Sequence, residues 1–157
     1  MKVKDIMTDE VRTCAPDTIL DRVAQMMWDA DCGDILVTDD RGYPTGIVTD
    51  RDIAMSSVLN HKELWALRAG DVTQDRPLAT CHIGDDVDDA IRIMAKHKVR
   101  RLPVVDSSGS LKGIISFGDL VSAAEAGTSR KKPELSFNDL MPVFKACCEH
   151  HRTLAIR

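Results

Sequence analysis

The sequence predicts an α+β protein, mixed in helix and strand, made of two copies of one strand-helix-strand-strand-helix unit. Three observations predict it. The first is a duplicated string: Gly46-Ile47-Val48-Thr49-Asp50-Arg51-Asp52 recurs as Gly113-Ile114-Ile115-Ser116-Phe117-Gly118-Asp119, 67 residues on (113 − 46). The second is a hydrophobic period that changes inside each copy from helical spacing to short β-branched runs. The third is a pair of turn sequences in matching places, Asp39-Asp40-Arg41-Gly42 and Asp106-Ser107-Ser108-Gly109. A repeated unit of about 60 residues cannot bury its apolar face alone and stacks on its twin.

The elements follow in order. Asp5-Ile6-Met7 opens the first copy and Asp71-Val72-Thr73 the second, and Thr13-Cys14 and Thr80-Cys81 mark the first strands. Ile19, Val23, Met26, Met27 and Ala30 then keep helical spacing, as do Val87, Ala90, Ile91 and Met94. Asp17 and Asp85 precede these helices, where carboxylates suit the orphan amides and the dipole. This reading aligns Ile19, Val23 and Met26 with Val87, Ile91 and Met94, and Leu36-Val37 with Val104-Val105, at an offset of 68 (104 − 36). A deletion in the next turn restores 67 at Gly42 and Gly109. Gly46-Ile47-Val48 and Gly113-Ile114-Ile115 are the return strands, and the last helices begin near Asp50 and Phe117.

Residues 1–60 and 71–126 are thus the repeats. Residues 61–70 form a connector with Leu64 and Trp65 pinned against the body, and 127–157 form a linker and a partly helical tail. Arg130-Lys131-Lys132 reads as a solvated linker. Phe137, Leu140, Met141, Phe144 and Cys148 make an apolar stripe that docks on the module or on a partner, with Pro142 suited to a first helical turn.

The composition, 43% hydrophobic and 29% charged with a net charge of −4, is that of an ordinary globular protein and gives no reason to expect nucleic acid. The apolar runs are too short to span a membrane, and no apolar stretch follows the charged start to make a signal peptide. Five cysteines without disulfide spacing fit a reducing, cytoplasmic setting. Cys14 and Cys81 read as buried fillers, and Met7, Met26, Met27, Met94 and Met141 as core.

The chemistry concentrates in the duplicated string. A carboxylate at a helix start accepts two hydrogen bonds from vicinal hydroxyls, as on a ribose. A neighbouring hydroxyl donates to sugar or phosphate oxygens, and the helix start favours an anion. Asp52 with Thr49 forms one such set and Asp119 with Ser116 the other; Arg51, Arg100 and Arg101 can supply cations. A single Thr-x-x-Asp reads first as a helix cap. Two copies in one repeated frame favour a ligand role, which is compatible with capping. Cys147 and His151 share a helical face, but a structural zinc site needs four ligands and no second cluster follows, so no metal is expected. His61, His82 and His97 lack nucleophile or carboxylate partners at informative spacing, so no hydrolase and no enzyme is expected.

The Asp-Ile-Met opening, the helix, Arg101-Leu102-Pro103-Val104-Val105-Asp106 and the Gly-apolar-apolar-(Thr/Ser)-x-x-Asp ending occur in that order, with the frame given twice. Together they resemble a tandem pair of CBS domains, the module named after cystathionine β-synthase, over roughly residues 3–125. Thr49-Asp50-Arg51-Asp52-Ile53-Ala54 is similar to the small stand-alone bacterial members. The resemblance implies pseudo-two-fold packing, two clefts and a homodimer. It implies a regulatory, non-enzymatic module that needs no cofactor and senses AMP, ADP, ATP, S-adenosylmethionine or a dinucleotide. In such pairs each site is shared across the repeats. Carried over, one site joins Thr8, Val11, Arg12, Thr13, Ile35 and Leu36 to Ile114, Ser116 and Asp119. The other joins Leu78, Ala79, Thr80 and Val104 to Ile47, Thr49 and Asp52, with Arg51, Arg100 and Arg101 near phosphates. Two departures make the sites unequal: Asp34-Ile35-Leu36 stands where Leu102-Pro103-Val104 carries proline, and Phe117-Gly118 stands where the first copy has Asp50-Arg51. The alternative is a structural dimerisation module with empty clefts whose tail recruits a partner protein.

Overall fold

The apolar positions that set the helical period are the ones the chain buries. The structure, a computed structural model, describes residues 1–126 and 133–148. The first copy runs β1 (Thr13–Cys14), α1 (Leu20–Asp29), β2 (Asp34–Thr38), β3 (Pro44–Thr49) and α2 (Asp50–Asn60). A short helix α3 (Ala69–Thr73) opens the second, which continues with β4 (Cys81–His82), α4 (Val87–His97), β5 (Arg101–Val105), β6 (Leu111–Ser116) and α5 (Phe117–Ala123). A 3-10 turn (Phe137–Leu140) and α6 (Met141–Cys148) make up the described part of the tail. Each copy is therefore the expected strand-helix-strand-strand-helix.

Each copy has its own three-stranded sheet, ordered β1-β2-β3 and β4-β5-β6. β1 lies parallel to β2 and pairs Cys14 with Val37, while β4 lies parallel to β5 and pairs Cys81 with Val104. These pairs correct the alignment of the repeats. Val37 and Val104 are equivalent, 67 apart (104 − 37), and so are Leu20 and Val87, which begin α1 and α4. From the first strand on the offset is 67, with no deletion in the turn, while the openings Asp5 and Asp71 lie 66 apart (71 − 5). Spacing misled because α4 buries Ile91 beside Ala90, so a shift of one residue also matches apolar to apolar. The proline of the second copy, Pro103, consequently stands opposite Leu36, both buried inside their strands.

The chain divides into two compact units. One comprises Glu10–Leu78 with Ser108–Leu111; the other comprises Met1–Asp9, Ala79–Ser107 and Lys112 onward. The core of the first is Leu20, Val23, Met27, Ile35, Val37, Val48, Ile53, Leu67 and Ala69. The second gathers Val3, Val87, Ala90, Ile91, Met94, Leu102, Val104, Ile115 and Leu120, joined by Leu135, Leu140 and Val143 from the tail. The opening segment Met1–Asp9 therefore belongs with the second copy's sheet, where Thr8 and Ile114 exchange backbone hydrogen bonds of 2.9 and 2.8 Å.

Several expectations need correction. Trp65 is exposed at 66% rather than pinned, while Leu64 packs on the core as expected. The tail buries Leu140 and Val143, with Cys147 partly covered, and exposes Phe137, Met141, Phe144 and Cys148. A 3-10 turn runs at three residues per turn and hands over to an α-helix at Met141, so one 3.6-residue stripe cannot continue through it. Met141 is accordingly not a core residue, whereas Met27 and Met94 are. Asp17 and Asp85 do not cap α1 and α4; Ile19 and Asp86 hold those positions without a side-chain bond, and Asp85 instead accepts from the His82 amide at 2.7 Å. Cys14 and Cys81 are buried as expected, and burial with the nearby Asp85 charge pushes the Cys81 thiol up to about 12. Arg130-Lys131-Lys132, His150 and His151 lie outside the described residues.

Candidate functional site

The two copies end on the same local device. β3 delivers Thr49 in an extended conformation to the start of α2, and β6 delivers Ser116 to the start of α5. The Asp52 Oδ2 accepts from the Thr49 amide at 2.9 Å and from its Oγ1 at 2.7 Å, while the Asp52 amide donates back to Oγ1 at 3.2 Å. Asp119 repeats this, accepting from the Ser116 amide and Oγ at 2.7 Å each and donating to Oγ at 3.2 Å. This is a capping box, in which both orphan donors are satisfied reciprocally. The tail contains a third one: Ser136-Phe137-Asn138-Asp139-Leu140 repeats Ser116-Phe117-Gly118-Asp119-Leu120 in four of five residues, and Asp139 Oδ2 accepts from the Ser136 amide at 2.9 Å. The box alone is therefore a way to start a helix. What sets the first two apart is the strand before them, which carries a buried glycine at its third position.

That glycine makes room. A Cβ on Gly46 would lie 2.5 Å from the Thr73 Cβ, and one on Gly113 would lie 2.5 Å from the Thr8 carbonyl oxygen. Each return strand is thus crossed closely by an opening segment: α3 at Gly46, and Met7-Thr8 at Gly113.

Beyond the boxes the two carboxylates differ. The Arg76 Nη1 donates to Asp52 Oδ1 at 2.5 Å, so both carboxylate oxygens are engaged. The Asp119 Oδ1 has no such partner among the described residues. Burial pushes the Asp52 carboxyl up, but hydrogen bonds from Arg76 and Thr49 and the guanidinium charge outweigh it and hold the carboxyl below its ordinary value. The ionised form is then favoured in the folded chain. The pair contributes stability above the unfolded carboxylate pKa of about 3.9, and the contribution is lost as pH falls through the lower folded value. A carbon-13 titration should place the Asp52 midpoint below about 3.9, and Arg76→Ala should move it upward; an unmoved midpoint refutes the assignment. Sequence reasoning missed Arg76. Its signal was a charge reversal between the openings, Asp9-Glu10 in the first copy and Asp75-Arg76 in the second.

The other candidates fall as follows. Thr8, Ile114, Ser116 and Asp119 share one unit, together with Ala79, Thr80, Arg100, Arg101 and Val104. Val11, Arg12, Thr13, Ile35, Leu36, Ile47, Thr49, Arg51, Asp52 and Leu78 share the other. Ile35, Leu36 and Val104 are fully buried. Ile47 and Ile114 are half-buried beside their boxes. Arg51 and Arg100 are exposed, and Arg101 is half-buried. Among the described residues, no three His, Cys, Asp or Glu side chains are grouped to hold a metal, and no helix is long and apolar enough to cross a membrane.

The repeated fold, the paired boxes and the close-approach glycines define a tandem duplicated module, and the sequence profile of the CBS domain matches twice, over residues 3–58 and 69–126. The chain belongs to the CBS-domain family. It is 36% identical over 141 residues to the uncharacterized protein YlbB of Bacillus subtilis, covering 86% of this chain and 89% of that one. Inosine-5'-monophosphate dehydrogenase of Helicobacter pylori is 38% identical over 95 residues, 60% of this chain but 18% of the enzyme, confined to its CBS part. The solved structure of CBSX2 in complex with AMP is 28% identical with a TM-score of 0.65, covering 78% of this chain and 94% of that one.

Proposed function

We propose that this chain binds an adenosine-containing ligand (AMP, ADP, ATP or S-adenosylmethionine) through the carboxylates of Asp52 and Asp119, and signals its occupancy to a partner as a cytoplasmic homodimer. The observation that carries this reading is the state of Asp119: its Oδ2 is pinned by Ser116 while Oδ1 remains open among the described residues. A carboxylate held this way is pre-oriented, so a ribose diol finds an acceptor without an ordering cost. The AMP complex of CBSX2 supports the ligand class. Thr8, Ile114 and Ser116, in the same unit, would contact the ligand at Asp119. Ile47, Thr49 and Leu78, in the same unit, would contact it at Asp52, with Arg51 toward phosphates.

Thermal unfolding with a panel of these nucleotides tests it. A ligand at a hundred times its Kd adds about 2.7 kcal/mol, or roughly 5–10 °C for a domain of this size. Asp52→Ala and Asp119→Ala should each remove one site's share, and the double variant all of it. A full shift retained in the double variant would refute the ribose role. The second reading, dimerisation with empty sites, draws on one observation: Trp28, Val58, Leu59 and Trp65 are exposed at 83, 64, 71 and 66%. A stable dimer by light scattering with no nucleotide shift would favour it.

A further inference from the structure

The Asp52 carboxylate is already occupied. It offers about four lone-pair positions; two on Oδ2 are taken by Thr49 and one on Oδ1 by Arg76. One position remains, where a ribose diol needs two. At Asp119 the two positions on Oδ1 both remain among the described residues. The two boxes, alike in their internal hydrogen bonds, therefore present different acceptors.

The surroundings of Arg76 make this difference electrostatic as well. Asp52, Asp71, Asp75 and Arg76 line one cavity of about 260 Å³ with Ser56 and Asn60. Three carboxylates and a single guanidinium line it, so an anion meets net repulsion unless the guanidinium turns to it. The Asp52 side chain is 12% exposed and fixed by Thr49, whereas Arg76 is 59% exposed on a long arm. The carboxylate stays and the guanidinium is the partner able to move. Neither aligned position in the first copy, Asp9 or Glu10, can supply an equivalent cation.

Resting on the ribose role proposed above, we infer that Arg76 is a specificity-determining gate that makes the Asp52 site select phosphorylated over neutral adenosine. A ribose that takes Asp52 Oδ1 displaces the guanidinium. A neutral ligand leaves that cation without its ion pair, whereas a phosphate gives it a bidentate acceptor of the same charge sign. AMP thus replaces what it breaks, and adenosine does not.

Calorimetry with AMP and adenosine on the Asp119→Ala chain isolates the Asp52 site. AMP should bind there at least about tenfold more tightly than adenosine, the strength of one charge-assisted bond. Arg76→Ala should weaken AMP and strengthen adenosine, so that the ratio falls to near one or inverts. Arg76→Lys, which keeps the charge but loses the fork, should give an intermediate ratio. A ratio unchanged by either substitution, or an equal loss of both ligands, overturns the gate while leaving the ribose role intact. Absence of any binding to the Asp119→Ala chain, or binding that survives a further Asp52→Ala, overturns the ribose role and the gate with it. Circular dichroism of each variant separates lost binding from lost fold, and the lysine variant keeps the test available if the alanine variant unfolds.

Discussion

Val143→Asp is expected to destabilise the chain by more than about 3 kcal/mol, the scale of an uncompensated buried charge. Val143 is fully buried, and Leu135 and Leu140 are exposed by only 2 and 3%. They join one core with Val87, Ile91, Met94 and Leu120, and α6 packs along α4. Residues 135–143 are therefore part of the second unit's interior, not an appended arm. A carboxylate at this position would sit among apolar side chains and would either ionise without a partner or remain protonated at a cost. Against a total stability of about 5–15 kcal/mol, that is a large share. Lys145→Asp, on the exposed side of the same helix, should change stability by no more than about 0.5 kcal/mol. Urea unfolding of the two variants checks it, and equal midpoints would show that the tail carries no core function.

The repeat, its element order and both capping boxes were legible in the sequence because they depend on local chemistry. Hydroxyl-x-x-carboxylate at a strand-to-helix junction closes its own hydrogen bonds, so spacing alone places Thr49 with Asp52 and Ser116 with Asp119. What was not legible depends on neighbours distant in sequence. Ala90 and Ile91 are both buried, so apolar matching could not distinguish offsets of 67 and 68; only the pairing of Cys14 with Val37 and Cys81 with Val104 settles it. The aromatic and sulfur side chains of the tail look like its inner face, yet Val143 holds that place because the chain changes from 3-10 to α geometry at Met141. Arg76 lies in an irregular stretch between α3 and β4, 24 residues from Asp52, where no periodicity predicts a partner. The sequence puts the inequality of the sites at Asp50-Arg51 against Phe117-Gly118. The structure locates a difference one element further on, at Arg76.

Gly113→Ala is the companion prediction, and its partner Gly46→Ala tells why. Neither glycine is needed for a turn; unlike Gly42 and Gly109, they do not have positive φ. Each is needed because another segment passes within reach of a Cβ. At Gly113 the obstacle is backbone: the Thr8 carbonyl oxygen at 2.5 Å, with the Met7 Sδ at 3.1 Å. That carbonyl accepts from the Ile114 amide at 2.8 Å, so it cannot retreat without breaking the pairing that holds residues 1–9 to their unit. Overpacking costs about 1–3 kcal/mol, and each lost hydrogen bond adds about 1 kcal/mol. At Gly46 the obstacle is a side chain, Thr73, buried to 4% exposure and anchored by its Oγ1 to the Ala69 carbonyl at 3.0 Å. Gly46→Ala should cost a similar amount by overpacking alone. The two cases separate in a double-mutant cycle. Thr73→Gly removes the Cβ that the added methyl of Gly46→Ala would strike, and should recover most of the overpacking cost there. No trimming of Thr8 can recover Gly113→Ala, because the clash is with its main chain. Gly84→Ala, whose new Cβ would meet nothing closer than the His82 Nδ1 at 3.7 Å, serves as the silent control. If Gly113→Ala unfolds at the wild-type urea midpoint, or if Thr8→Gly restores it, the duplicated glycine is not kept for close approach and the crossing of the opening segment over β6 is wrong.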